Sequence, residues 1–182
     1  MDVKEFVFKI AVLGSAGVGK TSLINRYVDR MFTEDYKPTL GASIIAKDVV
    51  IEKTDIRYAV RLVLWDLAGQ EKYESVRPMY FQGCVGAILV YDVTRAPSFN
   101  EIEEKWLNDF KQYALPNSSY ILIGNKIDLD NIRKVETGKG QKLADSINSA
   151  AFIETSAKTG ENVDECFTKL VNSVLRIVGE DV

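Results

Sequence analysis

Apolar residues are spaced along this chain in two rhythms. Phe6 to Leu13 (FVFKIAVL) is a nearly unbroken apolar run ended by Gly14, the pattern of a strand buried on both faces of a sheet. From Thr21 the period lengthens: Leu23, Ile24, Tyr27, Val28 and Met31 recur three and four residues apart, as the face of one helix does. Ile44 to Ile51 and Tyr58 to Trp65 are β-rich runs divided by the polar Glu52, Lys53, Thr54 and Asp55. They predict a hairpin whose second strand alternates less strictly and is the more buried. Cys84 to Tyr91, Tyr120 to Gly124 and the short Phe152 to Thr155 are further apolar runs. Phe99, Ile102, Trp106, Phe110 and Tyr113 form one helix stripe, and Val163, Phe167, Leu170, Val174 and Ile177 another; both read as core packing. Glu101, Glu103 and Glu104 read as a solvated helix face.

Strands alternating with helices predict an α/β fold: a six-stranded, mostly parallel sheet with one antiparallel edge strand and helices on both faces. No repeat or linker interrupts the pattern, and 182 residues suit one domain, 1–182. Ligands of such sheets bind beyond the carboxyl ends of the strands, so chemistry is expected just after the apolar runs.

Composition narrows the field. The chain carries 23 Lys and Arg against 26 Asp and Glu, net −3, which provides no field for polyanions and argues against nucleic acid as a partner. It has no His, which excludes His-based triads, and its two cysteines, Cys84 and Cys166, lack metal-ligand spacing. A reducing compartment is expected. Met1 to Phe8 mixes charged and apolar residues unlike a signal peptide, and no apolar stretch approaches the roughly 18 residues of a membrane span. The expected location is cytoplasmic.

The chemistry follows the strands. Gly14-Ser15-Ala16-Gly17-Val18-Gly19-Lys20-Thr21 fits G-x-x-x-x-G-K-[ST], a pattern that chance places in about one chain in a hundred of this length. Its glycines let backbone N–H groups turn around phosphate oxygens, Lys20 adds a cation and the Thr21 hydroxyl can ligate Mg²⁺. Asp66, in Trp65-Asp66-Leu67-Ala68-Gly69-Gln70, ends the third strand; alone it could be a helix cap, but beside a phosphate loop it reads as a partner of Mg²⁺. Asn125-Lys126-Ile127-Asp128 and Ser156-Ala157-Lys158 end the fifth and sixth strands. A carboxylate such as Asp128 can accept guanine's N1–H and N2 amino donors together, while an amide such as that of Ala157 meets O6.

These four motifs together resemble a small GTPase of the Ras superfamily, closest to its Rab branch, over nearly the whole chain. The resemblance implies a P-loop GTPase fold, or G domain, that alternates between GDP and GTP forms and hydrolyses GTP with Mg²⁺ bound. It implies that Gly14, Ala16, Gly17, Val18, Gly19, Lys20, Thr21 and Ser22 hold the phosphates, and that Thr21, Thr39 and Asp66 serve the metal. Phe32 and Tyr36 border the nucleotide, Thr39 and the Gly69 amide contact the γ-phosphate, and Gln70, with Lys20 and Thr39, carries the hydrolysis. Asn125, Lys126, Asp128, Ser156, Ala157 and Lys158 form the base set. Rab character rests on Pro78-Met79-Tyr80-Phe81-Gln82-Gly83 and Leu89-Val90-Tyr91-Asp92-Val93-Thr94. Trp65 and Tyr80 stand at two of the three aromatic positions that effectors of this branch read, with Ile44 in place of the third. An exchange factor, a GTPase-activating protein and effectors are implied, acting through residues 32–46 and 67–81. With no arginine within the phosphate loop, the activating partner is expected to supply one. The chain ends at Val182 without a lipidation motif, so membrane association is expected only through a lipidated tail absent from this sequence, peripheral to the bilayer. Two rivals share part of this pattern. A P-loop kinase or ATPase would share Gly14 to Thr21 and Asp66 but not Asn125 to Asp128, and a non-catalytic guanine-nucleotide module would not need Gln70.

Overall fold

The computed structural model describes residues 1–182. Six strands form one sheet: β1 (Asp2–Leu13), β2 (Ala42–Glu52), β3 (Ile56–Leu67), β4 (Gly86–Asp92), β5 (Ser119–Asn125) and β6 (Phe152–Thr155). Their order is β2-β3-β1-β4-β5-β6, with β2 antiparallel to β3 and every other pairing parallel. The helices are α1 (Lys20–Asp29), α2 (Arg77–Phe81), α3 (Ala96–Glu101), α4 (Asn108–Tyr113), α5 (Thr137–Ser146) and α6 (Val163–Ile177). A π-helical turn, Ile102–Leu107, joins α3 to α4, and a 3-10 turn, Glu71–Val76, leads into α2.

Alternation along the central strands builds two cores. Ile10 and Val12 of β1 pack with Leu23 and Tyr27 of α1 and Phe167 and Leu170 of α6, whereas Ala11 and Leu13 pack with Phe81, Trp106 and Phe110 on the other face. Burying each such large side chain contributes about 1.5 to 3 kcal/mol, so the two-sided middle of the sheet is its firmest part. Tyr27 and Phe167 stack with ring centroids 3.9 Å apart.

Four features depart from the expectations. Val7, within the run read as doubly buried, is 70% exposed, because β4 pairs with β1 only from Ile10 onward and no helix covers that corner. The hairpin's second strand alternates cleanly: Tyr58, Val60, Leu62 and Leu64 are buried, while Ala59, Val63 and Trp65 are half-buried and Arg61 is exposed. Helix α1 stops at Arg30, whose left-handed φ of 59° ends it, so Met31 leaves the stripe and is 65% exposed. Tyr113, the last residue of α4, and Ile177, in the last turn of α6, end their stripes exposed rather than in the core.

The register brings the strand ends to one edge. Val12 lies beside Asp66, Asp92 beside Asn125, and Asn125 beside Thr155. The loops that follow β1, β3, β4, β5 and β6 therefore meet above the same edge.

Candidate functional site

A cleft of about 610 Å³ opens at that edge. Of the nucleotide, metal and catalytic residues singled out from the sequence, all line it except Gly14, Val18, Asp66 and Ser156. The loop between β1 and α1 turns tightly. Gly19 has φ 103°, and a Cβ there would sit 2.3 Å from Asn125 Nδ2, so only glycine fits. The Lys20 ammonium is buried and donates to the carbonyls of Gly14 at 2.7 Å and Ser15 at 2.9 Å. Burial lowers its pKa to about 8 in spite of Asp66, and Arg77 and Arg95 push the same way. A desolvated cation set among neutral carbonyls favours an anionic ligand.

Beside Lys20, Thr21, Thr39 and Asp66 converge although they come from α1, the segment before β2 and the end of β3. The Thr21 and Thr39 hydroxyl oxygens are 2.9 Å apart, and the Thr21 hydroxyl donates to Asp66 Oδ2. Asp66 is 1% exposed, its Oδ1 has no hydrogen-bond partner, and burial raises its pKa. An orphaned carboxylate oxygen beside two hydroxyls is a donor set for a hard cation. Nowhere do three or more carboxylates, thiols or imidazoles cluster, so the phosphates themselves would have to complete such a shell.

At the far end of the cleft the side chains hold one another. Asn125, 1% exposed, donates from Nδ2 to the Val18 carbonyl at 3.0 Å, and its Oδ1 accepts from Thr155 Oγ1 at 3.0 Å and the Ala157 amide at 3.3 Å. Asp128 Oδ1 accepts from Ser156 Oγ at 2.7 Å, which fixes the carboxylate while leaving its other oxygen open. Lys126 donates to the Gly17 carbonyl at 2.7 Å and pairs with buried Asp92 at 3.0 Å, so its stem lies along the cleft. Lys158 reaches Glu34 at 2.9 Å, spanning the cleft mouth.

After β3, Gln70 caps the 3-10 turn with its side chain at the cleft and its Oε1 buried without a partner. Its carbonyl accepts from Arg77 Nη2 at 2.6 Å. Arg77 is 1% exposed and lies 4.4 Å from the Trp106 ring centroid, a desolvated cation–π contact worth about 2 kcal/mol that offsets two unpaired edges, Nε and Nη1.

Several participants carry no sequence signal. Arg77 belongs to none of the motifs or apolar stripes. Arg26, on α1, donates from Nε to the Ala157 carbonyl at 2.8 Å and from Nη2 to that of Lys158, and so steadies the loop after β6. Glu101, read as solvated, accepts from the Ser15 hydroxyl, and Arg95 donates to the Ala16 carbonyl at 3.0 Å. The phosphate loop thus does meet an arginine, one supplied by the turn after β4.

Known proteins resemble this chain over most of its length. The chain matches the Ras family over residues 9–176. It is 41% identical over 170 residues to the Ras-related protein Rab-1 of Theileria parva, covering 93% of this chain and 75% of that protein. It is 38% identical over 178 residues to Rab-12 of Homo sapiens, covering 98% and 71%, and 40% identical over 171 residues to Rab-5A of Dictyostelium discoideum, covering 94% and 82%. The chain therefore belongs to the Ras family, on its Rab branch, and is a small GTPase that binds GTP and GDP and hydrolyses GTP.

Proposed function

We propose that residues 1–182 work as one domain in which the cleft holds guanine nucleotide with its base at Asp128 and its phosphates at Lys20. The observation that carries this reading is the placement, in one cleft, of a fixed carboxylate at one end and a desolvated ammonium with the Thr21, Thr39 and Asp66 group at the other. Asp128 accepts from N1–H and the N2 amino group, Lys126 and Lys158 lay their stems along the ring, and Phe32 closes its edge. The Ala157 amide exchanges its long bond to Asn125 for guanine O6. The amides of Gly17 to Thr21 and the Lys20 ammonium meet the phosphates, with Ser22 at the start of α1. Thr21, Thr39 and Asp66 fit Mg²⁺, which when bound would neutralise charge crowding on the β and γ phosphates. Gln70 turns its unpaired Oε1 to an attacking water and aims it in line, while Lys20 and the loop amides stabilise the charge that gathers in the transition state.

Hydrolysis removes the group that Thr39 and the Gly69 amide bond, so residues 32–43 and 68–80 are ordered by GTP and released with GDP, within the wider segments 32–46 and 67–81. Those segments are the proposed contact surfaces for an exchange factor, an activating protein and effectors. Trp65 and Tyr80, with ring centroids 5.6 Å apart, and exposed Ile44, which faces Trp65 across the hairpin, form an apolar reading surface. Service in membrane traffic, attached peripherally on the cytoplasmic side, completes the proposal. No helix is long and apolar enough to cross a membrane.

The metal assignment has a direct test. Chelation with EDTA is expected to speed release of bound GDP by about tenfold or more, because repulsion among the phosphates then rests on Lys20 alone. Asp66→Ala should release GDP faster in Mg²⁺ and respond less to the chelator. A GDP off-rate indifferent to EDTA in the unaltered protein would remove the metal from this site.

A further inference from the structure

The phosphate loop faces the cleft on one side only; its other side rests on the segment that follows β4. Arg95 Nη1 donates to the Ala16 carbonyl at 3.0 Å, and the Ser15 hydroxyl donates to the Glu101 carboxylate. Two consecutive loop residues are thus tied to the two ends of α3, Arg95 being its N-cap and Glu101 its last residue. Both ties have firm bases. The Arg95 amide donates to the Asp92 carbonyl at 3.0 Å, and its own carbonyl accepts from Ser98 Oγ at 2.7 Å. Ser98 Oγ, buried, also accepts from the Asp92 amide at 3.0 Å. Behind Glu101 the chain widens into the π turn Ile102–Leu107, a feature often kept at functional sites, and this turn places Trp106 beneath Arg77.

Arg95 makes no side-chain bond other than that to the Ala16 carbonyl, so no carboxylate neutralises it. A Cβ on Gly17 would lie 3.2 Å from the same Nη1, which places the guanidinium against Gly17 as well as Ala16. From the opposite side, Gly69 packs so closely that a Cβ there would stand 2.3 Å from the Ala16 amide nitrogen. Ser15 and Ala16 are therefore held between the α3 ties and the segment that carries Gln70.

We propose that Arg95 and Glu101 are positioning residues for GTP hydrolysis, fixing Ser15 and Ala16 so that Gln70 and its water stay in line with the γ-phosphate. The inference rests on the cleft being the GTP site. It predicts an effect on chemistry more than on affinity, because most groups that hold the nucleotide lie outside the tied pair: Gly17 to Ser22 for the phosphates, with only Ala16 among the tied residues, and Asn125 to Asp128 for the base. A misplacement of about 1 Å at a reacting centre can cost about 10²-fold in rate, while the same shift barely alters binding spread over many contacts.

The test measures two rates on the full chain: single-turnover phosphate release from GTP, and dissociation of GDP. Arg95→Ala and Glu101→Ala are each expected to slow hydrolysis by about tenfold while GDP dissociation changes by less than about threefold. Arg95→Lys should recover most of the rate, since an ammonium still donates to the Ala16 carbonyl, and Glu101→Gln should do so because its amide oxygen still accepts from Ser15. Ser15→Ala removes the second tie from the loop side and should match Glu101→Ala. The proposal is overturned if hydrolysis and dissociation change by the same factor, if neither changes, or if the conservative variants are as slow as the alanine ones. If the unaltered protein itself releases no phosphate from GTP, the reading of the cleft fails, an outcome distinct from a failure of the ties.

Discussion

Asp128→Asn is expected to exchange the preference of the cleft from guanine to xanthine nucleotides. Asp128 already gives one oxygen to Ser156 at 2.7 Å, and Asn keeps that acceptor, so the loop after β5 should stay in place. What changes is the other arm, which becomes an NH₂ donor. Against guanine it meets the N2 amino group, donor against donor, where the bound base keeps water from satisfying either group. Against xanthine it meets a C2 oxygen. Sites built on such pairing reject the mismatched partner by about 10⁴-fold, so the loss of GTP affinity should be of that order, with a comparable gain of XTP over GTP. Competition of unlabelled GTP, XTP and ATP against a fluorescent nucleotide measures it. A variant that still prefers GTP by the original margin would show that Asp128 does not face the base.

Gly69→Ala is expected to remove most hydrolysis while nucleotide stays bound. The Cβ would stand 2.3 Å from the Ala16 amide nitrogen, 2.6 Å from the Ser15 carbonyl carbon and 2.7 Å from the Gly14 carbonyl oxygen. All three are backbone atoms, which cannot swing aside as a flexible side chain can. The φ of Gly69 is not left-handed, so the obstruction is steric rather than conformational. Either the phosphate loop or the segment carrying Gln70 must retreat by about 1 Å, and the rate should fall by about 10²-fold or more. Single-turnover kinetics beside GDP dissociation separate the two effects. Hydrolysis within about threefold of the unaltered rate would mean that the two segments part when GTP binds.

How much of this was readable in the sequence depended on the range of the interaction. Strands such as Phe152 to Thr155 and motifs such as Gly14 to Thr21 are local, so period and spacing reveal them. The cleft was legible as well, because a parallel sheet delivers every strand end to one edge and the motifs follow the strands in order. Arg26, Arg77, Arg95 and Glu101 were not legible. Arg26, Arg95 and Glu101 act on segments distant in sequence, as Arg95 does on Ala16 and Glu101 on Ser15, and Arg77 packs on Trp106; a charged residue looks the same in sequence whether it is solvated or tied. Val7 and Met31 failed for a related reason: an apolar pattern reports that a face could be buried, whereas partner elements decide whether it is. In the case of Val7, β4 begins too late to cover it.

Guanine nucleotide in this cleft, with Gln70 directing water onto its γ-phosphate, has one plain kinetic consequence: GTP is hydrolysed and ATP is not. The most direct measurement is single-turnover phosphate release by the purified protein in Mg²⁺, with GTP and ATP in parallel and with Gln70→Leu as the comparison. Slow release from GTP is expected, none above background from ATP, and a rate reduced by about tenfold or more in Gln70→Leu, whose affinity for GTP should be nearly unchanged because the phosphate cradle is untouched. Equal release from ATP and GTP, or an unaltered rate in Gln70→Leu, would contradict it.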